Sequence, residues 1–313
     1  MNDRGPLLIQ RAAAVLRKSG PTSSEPPASA AMQALGFEHP SPSTIERAAD
    51  TGKINPVVSR EDNQPPQHQT ANVSPTSLAA HAIVLPSAGS SRTVEEFRAI
   101  KREIIANIAR SRQTVPDSRA RVVLVTSASP EEGKTFTAIN LALSLAYEKD
   151  SRVLLIDADA YRQSSVEYLG ISSETGWLDV VAGKSIAARD MIVRTNLPGL
   201  SVMPAGRQRP EIPELMSSKR MSAMFEELSR DDPTRFIVVD SVPCLSSTEP
   251  SILAGLAGQT IFVVAAQKTA HSEIEASLRL LNASPNVSLV LNRVHPQLTD
   301  QFKKYGYAYG SQR

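Results

Sequence analysis

Residues 121–135 read RVVLVTSASPEEGKT, an aliphatic and β-branched run that empties into small residues and closes on Gly133, Lys134 and Thr135. The run predicts a buried strand, and residues 138–146 after it predict a helix. Strand, tight turn and helix joined over the eight-residue frame 128–135 make a phosphate-binding loop. The chemistry uses each part. A turn built from Ala128, Ser129, Pro130, Glu131, Glu132 and Gly133, with Phe136 in the helix behind it, aims backbone N–H groups at a β-phosphate. Lys134 supplies charge against the β- and γ-phosphates, and the Thr135 hydroxyl is placed to ligate magnesium. A Gly-Lys-Thr triplet alone is a weak signal; its flanking strand and helix make it informative.

Two more aliphatic runs end in carboxylates. Residues 153–159 read VLLIDAD, with Arg162 just beyond, and residues 236–240 read FIVVD, with Pro243 behind. Ligands of open α/β sheets lie beyond the carboxyl ends of the strands, so Thr135, Asp157, Asp159 and Asp240 are expected around one phosphate chain. Two carboxylates beside a hydroxyl suit a magnesium ion that keeps several waters, which leaves a third free to accept a proton. The residues alone leave open which aspartate does which. Further strands are expected at 200–203, 260–265 and 287–291, and helices at 213–229 and 271–281. The predicted fold is α/β, a P-loop nucleotide-binding fold with a mainly parallel sheet covered by helices on both faces.

The three motifs resemble those of bacterial tyrosine autokinases of exopolysaccharide and capsule export, whose loop usually reads ASPGEGK followed by Ser or Thr. Further matches are GWLDVVAG at 176–183, LSVMPAG at 200–206, and Pro213, Glu214 and Leu215. The chain ends in a tyrosine cluster, with Tyr305, Tyr307 and Tyr309 among its last nine residues. The resemblance covers residues 92–313, and residues 96–102 (EFRAIKR) look most like the exosortase-associated subgroup. It implies an ATP- and Mg2+-dependent kinase whose catalytic residues are Lys134, Asp159 and Arg162. Asp159 would be the base, while Thr135, Asp157 and Asp240 would hold the metal. Tyr305, Tyr307 and Tyr309 would be phosphoacceptors in trans, and Asn292 matches an asparagine that contacts adenine in related folds, although a turn residue there needs no ligand. The implied partners are a ring-like homo-oligomer, a membrane chain-length regulator that activates the kinase, and a cognate tyrosine phosphatase.

The chain departs from that pattern twice. A helix is expected from Thr93, with Thr93 and Glu96 as a capping box and an apolar stripe of Val94, Phe97, Ile100, Ile104 and Ile108. On its other side Glu95, Arg98 and Lys101 fall on the family's ring-forming positions, and Lys101 replaces an arginine. Lysine lacks the planar fork, so the contact is expected to be weaker or to pass to Arg102. Glu131 replaces a glycine. A side chain where the turn needs positive φ costs about 1–2 kcal/mol, and a carboxylate near phosphates adds repulsion unless it turns outward. Glu131→Gly is therefore expected to tighten ATP binding.

Composition sets the remaining expectations. Residues 1–91 hold half of the 22 prolines, between Ser, Thr, Ala and Gln. Such a segment buries too little apolar surface to order, so residues 1–91 are expected to be disordered. Residues 7–18 place apolar residues at helical spacing, and IQRAA at 9–13 is echoed by IERAA at 45–49; the pair reads as marginal helix in a tether, with docking elements for a partner or an anionic membrane surface as the alternative. Residues 92–300 then form the kinase domain and 301–313 the tail. No apolar window is long enough to span a membrane and no signal peptide opens the chain, which predicts a cytoplasmic protein held at the inner membrane face through a partner. A formal charge of +2 makes no case for nucleic acid. One cysteine excludes an internal disulfide, and Cys244 reads as a small core residue. The chief alternative is a switch ATPase of the chromosome- or division-site-positioning kind, which carries a lysine at the position of Ser129. A non-catalytic scaffold is the third reading.

Overall fold

The computed structural model describes residues 8–11 as backbone, and residues 70–87, 89, 91–111, 113–183 and 185–294 with side chains. All belong to one unit, residues 1–14 and 68–313; a second unit, 15–67, lies outside the described residues, as do the tail and its three tyrosines.

In chain order the elements are β1 (Leu8–Arg11), β2 (Thr70–Ala71), α1 (Pro75–Ala80), α2 (Arg92–Ser111), α3 (Asp117–Ala120), β3 (Val122–Ser127), α4 (Lys134–Ala146), β4 (Val153–Asp157) and α5 (Ser164–Tyr168). There follow α6 (Trp177–Val181), a 3-10 turn (Ala188–Met191), β5 (Val193–Thr195), β6 (Leu200–Met203), α7 (Ile212–Met216), α8 (Lys219–Asp231) and β7 (Phe236–Asp240). The described part closes with α9 (Glu249–Leu256), β8 (Gln259–Ala265), α10 (His271–Leu280) and β9 (Val287–Asn292). The sheet order is β1-β9-β8-β3-β7-β4-β6-β5-β2, parallel except where β1 meets β9 and β5 meets β6.

The centre of the sheet is apolar on both faces, as parallel strands under two helical layers must be. Along β3, Val123 and Val125 join one cluster with α4 and the α2 stripe of Phe97, Ile100 and Ile104. Val122 and Leu124 join the other, with Trp177, Met221, Met224 and Phe225 from α6 and α8. Cys244 lies in that second cluster, where burial pushes its thiol up to about 11, so it is the core residue the sequence suggested. The helical stretch at 213–229 is two helices, because Ser218 accepts a hydrogen bond from Met221 N and restarts the turn.

Three expectations about the N-terminal part change. Residues 70–87 are structured: Val73, Leu78 and Ile83 are buried in the core beside α2 and α4. Their backbone is satisfied by side chains far along the chain, Val73 N donating to Asn196 Oδ1 at 2.9 Å and Val84 N to Asn140 Oδ1 at 2.9 Å. Residues 8–11, expected within a helical island, are instead an antiparallel edge strand on β9. Helix α2 begins at Arg92, because Ser91 Oγ, rather than Thr93, accepts from Val94 N at 3.2 Å.

Candidate functional site

The turn between β3 and α4 opens onto a cavity of 520 Å³ at the carboxyl ends of the strands, where the sequence placed it. Gly133 caps α4 at φ 99°, and a Cβ there would meet Asn292 Nδ2 at 2.0 Å. Glycine is thus required twice over, by conformation and by space. Asn292 donates from Nδ2 to Glu132 O at 2.9 Å and accepts from Arg293 N at 2.8 Å. Its amide pins the loop's own backbone, and the residue lines the cavity.

Two neighbouring glutamates behave oppositely. Glu132 is 1% exposed, and its carboxylate accepts from Ser129 N at 3.0 Å and from the Thr269 hydroxyl. It closes the loop onto itself and ties it to the turn after β8. Ser129 Oγ adds a bond to Glu273 at 3.2 Å. Glu131 adopts φ 64°, the left-handed conformation that its side chain disfavours, and points outward with Lys268 Nζ 3.9 Å away. Of the two effects expected at Glu131, the strained backbone is present, but the carboxylate is turned outward, away from where it would repel phosphates.

Lys134 reaches across the mouth of the loop to Asp159 Oδ2 at 3.2 Å and to Thr135 Oγ1 at 3.4 Å. Burial works against its charge, yet Asp240, Asp159 and Asp157 outweigh burial and raise its pKa above the usual lysine value, so it remains an ammonium. Asp157 and Asp240 face each other in register at the ends of β4 and β7. Burial pushes the Asp157 carboxyl well up, and Asp240 and Asp159 beside it add to that; Asp240 is raised by burial although Lys134 and the Ser165 and Thr135 hydroxyls oppose the rise. Ser165 Oγ donates to Asp240 Oδ2 at 2.7 Å and Val166 N to Asp157 Oδ2 at 3.1 Å, which leaves Asp157 Oδ1 and Asp240 Oδ1 buried without partners. Two orphaned carboxylate oxygens beside the buried Thr135 are a donor set that fits a hard divalent cation such as magnesium.

Asp159 accepts from Arg162 N at 3.1 Å, while the Arg162 side chain is exposed on the cavity wall. Phe136 also lines the cavity and packs edge-on against Phe97. Of the ring-forming positions, Arg98 pairs with Glu95 within α2, but Lys101 is drawn inward to Glu148 and is only 14% exposed in its side chain. Lys101 is thus turned away from the charged face on which the family's ring-forming positions lie, and Arg102 is exposed there instead. The sequence reading missed Ser165, Tyr168, and the pair formed by Tyr161 Oη and Glu249 Oε1 at 3.3 Å. Ser165 could have been marked as a hydroxyl in the first turn of the helix that follows the Asp157 strand end; nothing local marked the others.

An AAA domain model (AAA_31) matches residues 121–290. The tyrosine-protein kinase Wzc of Salmonella typhimurium is 31% identical over 190 residues, 59% of this chain and 26% of that one. The tyrosine-protein kinase Ptk of Acinetobacter johnsonii is 30% identical over 161 residues, 51% of this chain and 21% of that one. The chain thus spans about a quarter of the length of these curated relatives. Among solved structures, the kinase domain of the Escherichia coli tyrosine kinase ETK superposes with a TM-score of 0.61 at 26% identity, covering 79% of this chain and 88% of that one. The chimerical protein CapA2B2 shares the fold, with a TM-score of 0.57 at 21% identity over 72% of this chain and 93% of that one. The resemblance read from the motifs is therefore matched in sequence and in fold by bacterial tyrosine-protein kinases, and the chain belongs to the AAA domain family of P-loop nucleotide-binding folds.

Proposed function

We propose that this chain is the catalytic unit of an ATP-dependent protein-tyrosine autokinase that phosphorylates Tyr305, Tyr307 and Tyr309 of a neighbouring copy and regulates exopolysaccharide polymerisation or export. The observation that supports it best is the Lys134 to Asp159 pair at 3.2 Å on the wall of the cavity, beside Thr135 and the Asp157 and Asp240 carboxylates. Phosphoryl transfer asks for positioning and charge more than for covalent chemistry, and this set supplies both. Lys134 keeps its ammonium and faces the β- and γ-phosphates. Asp159 Oδ2 accepts the proton of the incoming tyrosyl hydroxyl. Thr135, Asp157 and Asp240 would hold a magnesium ion, which neutralises developing phosphate charge when bound. The outer edge of α2, with Glu95, Arg98 and Arg102, joins copies into a ring, and a membrane chain-length regulator activates the assembly at the inner membrane face. A tyrosine phosphatase resets it.

Purified protein incubated with magnesium and labelled ATP should acquire phosphotyrosine, mapped by mass spectrometry to the last nine residues. Changing Tyr305, Tyr307 and Tyr309 together to phenylalanine should remove most of it and leave nucleotide binding intact. Modification chiefly on Tyr147, Tyr161 or Tyr168 would overturn the choice of acceptor. Absence of any phosphotyrosine would favour the switch ATPase or scaffold readings, although Ser129 stands where the switch ATPases carry a lysine.

A further inference from the structure

At the opposite end of the sheet from the nucleotide cavity lies a second concavity of 550 Å³. Four arginines from four separate segments converge on it: Arg152 just before β4, Arg189 in the 3-10 turn, Arg194 in β5 and Arg235 just before β7. Like charges brought together from distant parts of a chain repel, so the arrangement calls for something that offsets them. The protein offsets them only in part. Asp232 is the carboxylate of the lining, and its capacity is used: Oδ2 pairs with Arg152 at 3.2 Å while Oδ1 accepts from the backbone and hydroxyl of Thr234. Among the described residues the Arg189 guanidinium has only Asp190, at 3.9 Å, beyond hydrogen-bond range. Among the described residues the Arg194 side chain has no ion-pair or hydrogen-bond partner, its backbone being paired within the sheet. Arg235 donates one guanidinium nitrogen to Leu228 O at 2.6 Å, but its Nε is buried and unpartnered. Asp232 and, more weakly, Asp231 lie near enough to Arg235 to attract it, and Asp231 is exposed to solvent.

Arginine presents a planar fork that matches phosphate oxygens two at a time and sheds its hydration more easily than lysine. Spare guanidinium donors around a concavity of this size, within the range of small-molecule sites, define a ligand chemistry. We propose that this groove is an oxyanion site for a phosphate-bearing small molecule, held by Arg152, Arg189, Arg194 and Arg235. It sits apart from the catalytic crevice, at the amino-terminal ends of β4 and β7, so a ligand there would leave the nucleotide cavity open.

The test does not depend on kinase activity. With the nucleotide cavity filled by magnesium and a non-hydrolysable ATP analogue, pyrophosphate is titrated into the full chain by calorimetry. One further binding event is expected, weakened about tenfold or more by Arg189→Gln with Arg194→Gln, two exposed positions whose change should leave the fold's circular dichroism unaltered. The same event should persist in nucleotide-free Lys134→Met protein, which separates the groove from the phosphate loop. A parallel titration with O-phosphotyrosine distinguishes a free diphosphate from a phosphotyrosyl group as the source of the anion. No binding of either probe would overturn the proposal. So would equal binding by the arginine variant, or loss of binding with Lys134→Met.

Discussion

The crevice at the carboxyl ends of the strands and the strap of residues 70–87 on the flank of the sheet use burial in opposite ways. The strap buries Val73, Leu78 and Ile83 against α2 and α4 and satisfies its backbone through Asn196 and Asn140. The crevice buries Asp157, Asp159 and Asp240 around one lysine, leaves two carboxylate oxygens unpartnered, and holds Glu131 at positive φ. Burying charge without full pairing costs stability, whereas burying aliphatic side chains supplies it. The strap thus belongs to what holds the domain together, and the crevice to what the fold gives up for chemistry. Tyr168 touches both regions: it lines the cavity and stacks on His81 of the strap, ring centroids 3.8 Å apart.

The largest expected effect lies in the crevice. Lys134→Met should lower autophosphorylation by roughly a thousandfold or more, the scale of a stabilising charge in phosphoryl transfer. Quantified phosphotyrosine at early times checks it, and an unchanged rate would move the active site elsewhere. The strap should answer in a different quantity. Leu78→Ala should cost about 2–4 kcal/mol of stability, read as a lower denaturation midpoint, with kcat nearly unchanged while the protein is folded. A midpoint that does not move would break the comparison, since the strap would then be ornament on the core.

How much of this was legible in the sequence follows the same division. The strands at 122–127, 153–157 and 236–240 were readable because each is aliphatic on both faces, and a strand that ends in Asp or in a turn closing on Gly-Lys-Thr also dictates where that residue points. Lys134, Thr135, Asp157, Asp159 and Asp240 came with them. The strap was not readable, because the three aliphatic residues it buries sit among Pro, Ser and Ala, and the amides that satisfy it are 123 and 56 residues away. Contacts inside the site were hidden for the same reason: Ser165 meets Asp240 across 75 residues, Tyr161 meets Glu249 across 88, and Thr269 meets Glu132 across 137. Local pattern fixes what a strand end presents, and only the assembled sheet decides what that end touches.

A smaller effect should sharpen the contrast. The Asp157 pKa is raised in the folded protein, so its contribution to stability is present below the ordinary carboxylate range and lost as pH rises through the shifted value. A carboxyl whose charged form burial disfavours, with one oxygen unpartnered, is a liability. Asp157→Asn keeps an oxygen for Val166 N and removes the group that can carry that charge, so at pH 7 without magnesium the melting temperature should rise by about 2–4 °C per kcal/mol recovered. Magnesium should then stabilise the wild type more than the variant. A drop in melting temperature at pH 7 would show that the carboxylate is better compensated than its orphaned oxygen implies.

The smallest expected effect concerns Glu131. Its φ of 64° is a property of the fold as it stands, before any nucleotide is considered, so the strain is carried in the folded state rather than released on binding. Glu131→Gly should therefore raise folding stability by about 1 kcal/mol. Its effect on affinity rests on the charge alone, and that charge is 74% exposed and turned toward Lys268, where solvent screens it. Affinity for ATP should then change by less than about threefold, measured by calorimetry beside denaturant unfolding of both proteins. Tightening by about tenfold with no gain in stability would mean that the carboxylate swings into the cavity when phosphates approach. Glu131 would then act as a brake on nucleotide binding, and the loop's strain would belong to function rather than to folding.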